Sequence, residues 1–312
     1  MITQQQLQRR NMKLALGTVQ FGLDYGISNQ LGQVSVNDIQ EILKLARTLG
    51  INTLDCAGAY GNSEKILGEL NVSENFNLIS KVPALPHEID SIVPFFENCL
   101  TNLQCKNIDT LLFHQVNDLL NSPNKLKLYE QISLLKKNKK IKKIGVSVYS
   151  PEQLISVTDS YDIDIIQAPV NIFDQRFISK PVLAQCINKG VKIHARSLFL
   201  QGLLFINEDK LQPYFSPYKD KLKAFNQLAK ALSCSKLTLA LSLLAQDSLN
   251  TKGHVTANTV IEKIVVGVCN AKQLLEIFEA YQQAQSLNIS SDELALLADT
   301  RLGFINPSLW KT

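Results

Sequence analysis

INTLDCAGAYGNSEKILGELNVSENFNLISKV, residues 51–82, is the stretch that decides the fold. It opens on a short apolar run, INTLDC, crosses a turn that holds Gly58 and Gly61, and becomes helical near 62–69. A second apolar run, NLISKV, closes it at 77–82. Two strand-like runs joined through one helix are a βαβ unit, the repeating piece of a parallel sheet.

The same alternation extends in both directions. Upstream, KLALG (13–17) reads as a strand, followed by the turn-rich FGLDYGISNQLGQ and a helix from near Ser35 that buries Ile39, Ile42, Leu43, Leu45 and Ala46 and stops at Gly50. Downstream come a helix across 88–104, strand DTLLFH, a helix near 123–137 and strand KKIGVSV. Then follow a helix from Pro151, whose ring suits a first turn, strand DIDIIQAP, a helix around 179–188 and strand VKIHA. Two helical segments, strand KIVVGV (263–268) and a helix from Ala271 complete the series. Eight strands, each followed by helix, predict an α/β chain closed as a (β/α)8 TIM barrel. The near-continuous apolar strands suit a sheet covered on both faces. We expect an N-terminal tail over 1–12 and one barrel domain over 13–312. Two loop insertions interrupt the regularity, 198–218 after strand seven and 247–259 before strand eight. Only the first leaves the C-terminal end of a strand, where barrels of this kind build active sites.

Composition narrows the function. The chain has 312 residues, 45% apolar and 19% charged, with 14 Gly and 10 Pro, which is globular and neither collagen nor linker. A net charge of +4 calls for neither nucleic acid nor membrane as partner. The lysine run KKNKKIKK (136–143) ends a helix and enters strand five at the barrel face away from any site. The start MITQQQLQRRNMKL lacks a signal peptide's apolar stretch, so the expected location is cytoplasmic. Six scattered cysteines, with no CxxC, read as reduced thiols. Four histidines, none at ligand spacing from another, argue against a metal site. His194, inside strand seven, reads as a core or barrel-lining residue.

Three successive strands end on ionisable residues: Asp55 closes INTLD, Lys81 closes NLISK and His114 closes TLLFH, with Tyr60 in the loop after Asp55. Each alone has a bland explanation, as a turn cap, a solvated strand end or a core histidine. Together on one rim they suit proton transfer. A tyrosine needs its phenolate stabilised to work near neutral pH, and the Lys81 ammonium supplies the charge. Asp55 would hold the lysine, and His114 would donate to a substrate oxygen. No P-loop, serine nucleophile motif or GxGxxG occurs.

On these residues the chain resembles the aldo-keto reductases, with a match running from KLALGTVQFG to VVGVCNAKQLLEIF. The resemblance implies a catalytic tetrad of Asp55, Tyr60, Lys81 and His114, with Tyr60 as general acid, and a nicotinamide cofactor across the barrel mouth. Gly17, Thr18 and Asp55 fall in its segments. IGVSVYSPEQL and QAPVNIFDQR are similar to segments that give Ser147 and Gln167 to the nicotinamide carboxamide, although Val148 replaces the usual Asn. ARSLFLQGLL is similar to the family's AYSPLxxGLL, bringing in Arg196, Ser197, Phe199 and Gly202, with Arg196 where an aromatic ring usually stacks on the nicotinamide. At the phosphate end, VVGVCNAKQL offers Gly267, Val268, Asn270, Lys272 and Gln273, and Lys272 is the only cation there. The family favours NADP(H), and the missing Arg leaves NAD(H) as an alternative. The function implied is reduction of an aldehyde or ketone, with a sugar-like or hydroxylated carbonyl favoured. Two other readings stay open, a cofactor-binding regulatory or sensor subunit and a redox-assisted sugar epimerase or dehydratase.

Overall fold

The structure, a computed structural model, describes residues 12–245 and 257–310. Its strands are β1 (Leu14–Gly17), β2 (Thr53–Asp55), β3 (Asn77–Val82), β4 (Thr110–Phe113), β5 (Lys143–Ser147), β6 (Ile165–Pro169), β7 (Lys192–Arg196) and β8 (Ile261–Gly267). They pair in sequence order, all parallel, and β8 returns to β1 with Gly17 opposite Gly267. Helical chain follows every strand, so the chain is the (β/α)8 barrel that the alternation implies.

Strand alternation assigns the side chains. Leu16, Leu54, Leu111, Val146 and Ile166 belong to the large core shared with the helices. Their inward-pointing neighbours Ile79, Leu112 and Ile165 form a separate small cluster within the barrel. Two residues beyond Ile79 and Ile165 lie Lys81 and Gln167, on the same inward face and nearer the C-terminal mouth. The packed interior thus forms the floor of the site.

Local signals set most helix ends. Ser35 caps Val36–Thr48 by accepting from the Asp38 amide, and Ser150 with Gln153 forms a capping box ahead of Pro151–Ser160. The helix expected across 88–104 is shorter, Val93–Asn102, because Pro94 fits only in a first turn and would break a longer helix. Strand eight starts earlier than expected, at Ile261, and Val268 lies just past its end. The insertion at 198–218 folds as short 3-10 turns, Leu200–Phe205, Glu208–Lys210 and Pro213–Tyr218. Of the insertion at 247–259, residues 247–256 lie outside the described residues, and the turn Ala257–Val260 leads directly into β8.

The lysine run lies at the N-terminal ends of the strands. Lys136 pairs with Asp164, Lys142 with Asp109 and Lys143 with Glu262. His194 is buried within β7, its Nε2 at 3.2 Å from Glu262 Oε2. All six cysteines are free. Among the described residues no single helix is long and apolar enough to cross a membrane.

Candidate active site

Lys81 is the hub of the barrel mouth. Its buried ammonium donates to Asp55 Oδ2 at 2.8 Å, to the Cys56 carbonyl at 2.8 Å and to the Tyr60 phenol oxygen at 3.2 Å. Three partners account for the three N–H donors of an ammonium. The ring of His114 stands edge-on to that of Tyr60, with centroids 6.1 Å apart. The structure therefore brings Asp55, Tyr60, Lys81 and His114 to one place.

The electrostatics differ in one respect from the sequence expectation. Burial pushes the Tyr60 phenol above its ordinary value, and Lys81 pulls it only part of the way back. The phenol is accordingly a protonated donor, not a stabilised phenolate. Burial works against charge on Lys81 too, but the Asp55 carboxylate and the Tyr60 oxygen together outweigh it and hold the lysine above its ordinary value. Burial, then the Lys81 charge, pushes His114 down to about 4, so its imidazole is neutral near pH 7.

Backbone contact fixes Tyr60. A Cβ at Gly22 would lie 1.8 Å from the Tyr60 carbonyl oxygen, and one at Gly61, whose φ is +56°, would lie 2.3 Å from the Gly22 carbonyl oxygen. The loop after β1 and the loop after β2 can meet this closely only as two glycines. No sequence signal links this pair, because its members are remote in the chain.

The residues assigned to a cofactor divide into two groups. Several are already committed within the protein. The Thr18 hydroxyl is buried, donating to the Asp55 carbonyl at 3.1 Å and accepting from Ser63 Oγ at 3.1 Å. Gln167 donates to Asp55 Oδ1 at 2.7 Å, and Ser147 Oγ reaches Gln167 Oε1 at 3.5 Å. Asn270 caps the helix Ala271–Gln285 by accepting from the Gln273 amide at 2.9 Å, while Gln273 Oε1 accepts from the Cys269 amide at 2.8 Å. Val268 is buried, and Lys272 is 85% exposed, with Glu276 at 3.9 Å.

The others line the mouth. Arg196 lies over the Tyr149 ring, its Cζ 4.4 Å from the centroid, and donates to Ser197 Oγ at 3.2 Å. Phe199 packs on Phe205 at 5.4 Å. Gly202, with φ +91°, comes close to Ser28, and Ser28 Oγ donates to the Gln201 carbonyl at 3.3 Å. Gln201 Nε2 also donates to the Tyr25 phenol oxygen at 3.3 Å, so the loops after β1 and β7 meet across the mouth. Tyr25 and Tyr149 carried no distinguishing sequence signal for these contacts.

These residues fit a nicotinamide dinucleotide. A Cβ at Gly267 would stand 2.5 Å from Gln20 Nε2, so the glycine makes room for the Gln20 amide at the end of β8. Beside it, Gln20 Oε1 is buried without a hydrogen-bond partner among the described residues, an acceptor suited to a ribose hydroxyl or a carboxamide N–H.

The chain belongs to the aldo/keto reductase family, whose model matches residues 13–298. It is similar to the glyoxal reductase of Bacillus subtilis, with 28% identity over 179 residues, 55% of this chain and 62% of that protein. It is also similar to the oxidoreductase sirO of Leptosphaeria maculans, with 26% identity over 215 residues, 64% of this chain and 63% of that protein. In both cases the match spans a little under two thirds of the relative's length. An aldo-keto reductase of Bacillus halodurans, solved in its holo form, superposes with a TM-score of 0.69 at 18% identity, covering 92% of each chain; that likeness concerns the fold.

Proposed function

We propose that this protein reduces an aldehyde or ketone to an alcohol with a nicotinamide cofactor, Tyr60 giving the proton. The observation that carries the reading is the 3.2 Å hydrogen bond from Lys81 to the Tyr60 phenol oxygen, made by an ammonium that Asp55 holds at 2.8 Å. The bound nicotinamide supplies the hydride. The chain's own residues manage the oxygen end. Because the phenol oxygen accepts from Lys81, its O–H is left to point at the substrate oxygen. As the proton leaves Tyr60, the adjacent ammonium stabilises the phenolate. His114, neutral near pH 7, donates a hydrogen bond to the same oxygen and orients it.

Gln20, Gly267 and the segment 197–202 are the groups we assign to the dinucleotide, which leaves the Arg196 guanidinium to the substrate. Family membership favours NADP(H). The solvated Lys272 and the internally bonded Asn270 and Gln273 keep NAD(H) as the competing reading, and KM values for NADPH and NADH decide between them. The function is tested by following NADPH and NADH oxidation against a panel of carbonyls, with Tyr60→Phe as the control. The variant should lose at least about a hundredfold in kcat, the scale of a removed general acid. Near-normal turnover would place the proton donor elsewhere.

A further inference from the structure

Arg196 is the charge that the proton-transfer machinery leaves over. Lys81 is matched by Asp55 at 2.8 Å, and Arg176 by the fully buried Asp174 at 2.8 Å. No ion pair among the described residues includes Arg196. The guanidinium is nevertheless held in one pose. It donates to Ser197 Oγ at 3.2 Å and to the Val148 carbonyl at 3.4 Å, and its Cζ lies over the Tyr149 ring. Tyr149 is fixed in turn, its carbonyl accepting from Arg176 at 3.3 Å and its amide donating to Gln153 Oε1 at 2.8 Å.

This cation stands within electrostatic reach of Tyr60, His114 and Tyr25. A guanidinium has five N–H donors in a planar fork, so the two bonds above leave donors for a ligand. A half-buried cation without a carboxylate has given up water on its stacked face and gained no counter-charge. Its rigid mounting means that little side-chain entropy is lost when an anion arrives.

Resting on the carbonyl-reductase reading above, we propose that Arg196 selects carbonyl substrates that carry a carboxylate, binding that group through the N–H donors that Ser197 and Val148 leave open. The fork geometry of a guanidinium matches a carboxylate's two oxygens, and the bonds are charge-assisted.

The test compares 4-oxobutanoate with butanal, which share chain length and aldehyde and differ in the carboxylate. In the wild type the ratio of kcat/KM values should favour the anion at least about tenfold, the scale of one charge-assisted contact. Arg196→Gln should lower that ratio at least about tenfold, mainly through the KM of the anion, and Arg196→Lys should restore part of it. Taking the ratio cancels general damage to the site. Calorimetric titration with succinate gives a readout without turnover, in which the wild type binds and Arg196→Gln binds at least about tenfold more weakly. A wild-type ratio near one, a ratio that survives Arg196→Gln, or succinate binding that is absent or unchanged by the substitution overturns the proposal. If Tyr60→Phe reduces butanal as fast as the wild type, the reductase reading falls, while the succinate titration still judges Arg196.

Discussion

The ammonium of Lys81 donates to the phenol oxygen of Tyr60 across 3.2 Å while its Asp55 partner sits at 2.8 Å, so one lysine would serve both the proposed chemistry and the core. Lys81→Met should reveal both roles. It should cost about two to three orders of magnitude in kcat. It should also destabilise by about 3–5 kcal/mol, because Asp55 would keep a buried charge with Gln167 as its one remaining side-chain donor among the described residues. The double substitution Asp55→Leu with Lys81→Met should recover stability in a urea titration without recovering activity. A Lys81→Met protein that is active and as stable as the wild type would show the pair to be idle.

The pH profile follows from three shifts. Burial and the Lys81 charge depress His114 to about 4, while Tyr60 and Lys81 both lie above their ordinary values. The kcat/KM for reduction should therefore be flat from about pH 6 to beyond 8 and fall below about 5. The sign for stability is the same. The folded state binds fewer protons at His114 than the unfolded chain does, so stability is lost as pH falls from about 6.5 towards 4. His114→Gln should remove that acid limb from both profiles. An inflection near pH 6.5 in the wild-type rate would mean that the imidazole is solvated.

The barrel was readable because parallel strands buried on both faces appear as apolar runs, and INTLD, NLISK and TLLFH end on the residues that reach the mouth. What escaped was whatever depends on three-dimensional contact. The chemistry of an ammonium beside a phenol predicts a lowered Tyr60, yet desolvation, which no local pattern reports, decides the direction. Resemblance assigns Gln167 to a carboxamide, but nothing in the sequence shows that its amide also holds Asp55, at 2.7 Å. Tyr149 gave no sign that it would carry Arg196, since the two meet only where β5 and β7 open at the same mouth. Pro94 did carry the local signal that shortens its helix.

Gly22 shapes the loop that carries Tyr60. A methyl group there would meet the Tyr60 carbonyl oxygen at 1.8 Å and the Ser63 amide nitrogen at 2.6 Å, both backbone atoms that move only with the loop bearing Tyr60. Gly22→Ala should cost about 1–3 kcal/mol, the usual range for overpacking. It should also lower kcat about ten- to a hundredfold by displacing the phenol, with less effect on KM. Gly190→Ala is the control. That glycine has φ +69° at a helix end with open space around it, so its substitution should cost about 1 kcal/mol and leave kcat unchanged. Equal kcat values for the two variants would show that Gly22 only maintains the fold.

Asp118 lies in the one-turn helix Asn117–Leu120 after β4, with Oδ1 accepting from the Leu85 amide at 3.4 Å and Oδ2 buried without a partner among the described residues. Burial raises its carboxyl to about 6, against the Leu85 bond and the charge of His87. A carboxyl raised in this way takes up its proton more readily folded than unfolded, so the contribution of Asp118 to stability is greatest below about pH 4 and declines as pH rises through about 6. After allowance for solvent screening, the ionised group costs about 1–2 kcal/mol at pH 7. Asp118→Asn removes the charge and keeps an oxygen for the Leu85 amide. Its Tm should rise by about 2–6 °C at pH 7 and by almost nothing at pH 4. The comparison of the two pH values carries the argument, because improved packing alone would raise Tm equally at both, whereas relief of a buried charge does so only where that charge exists.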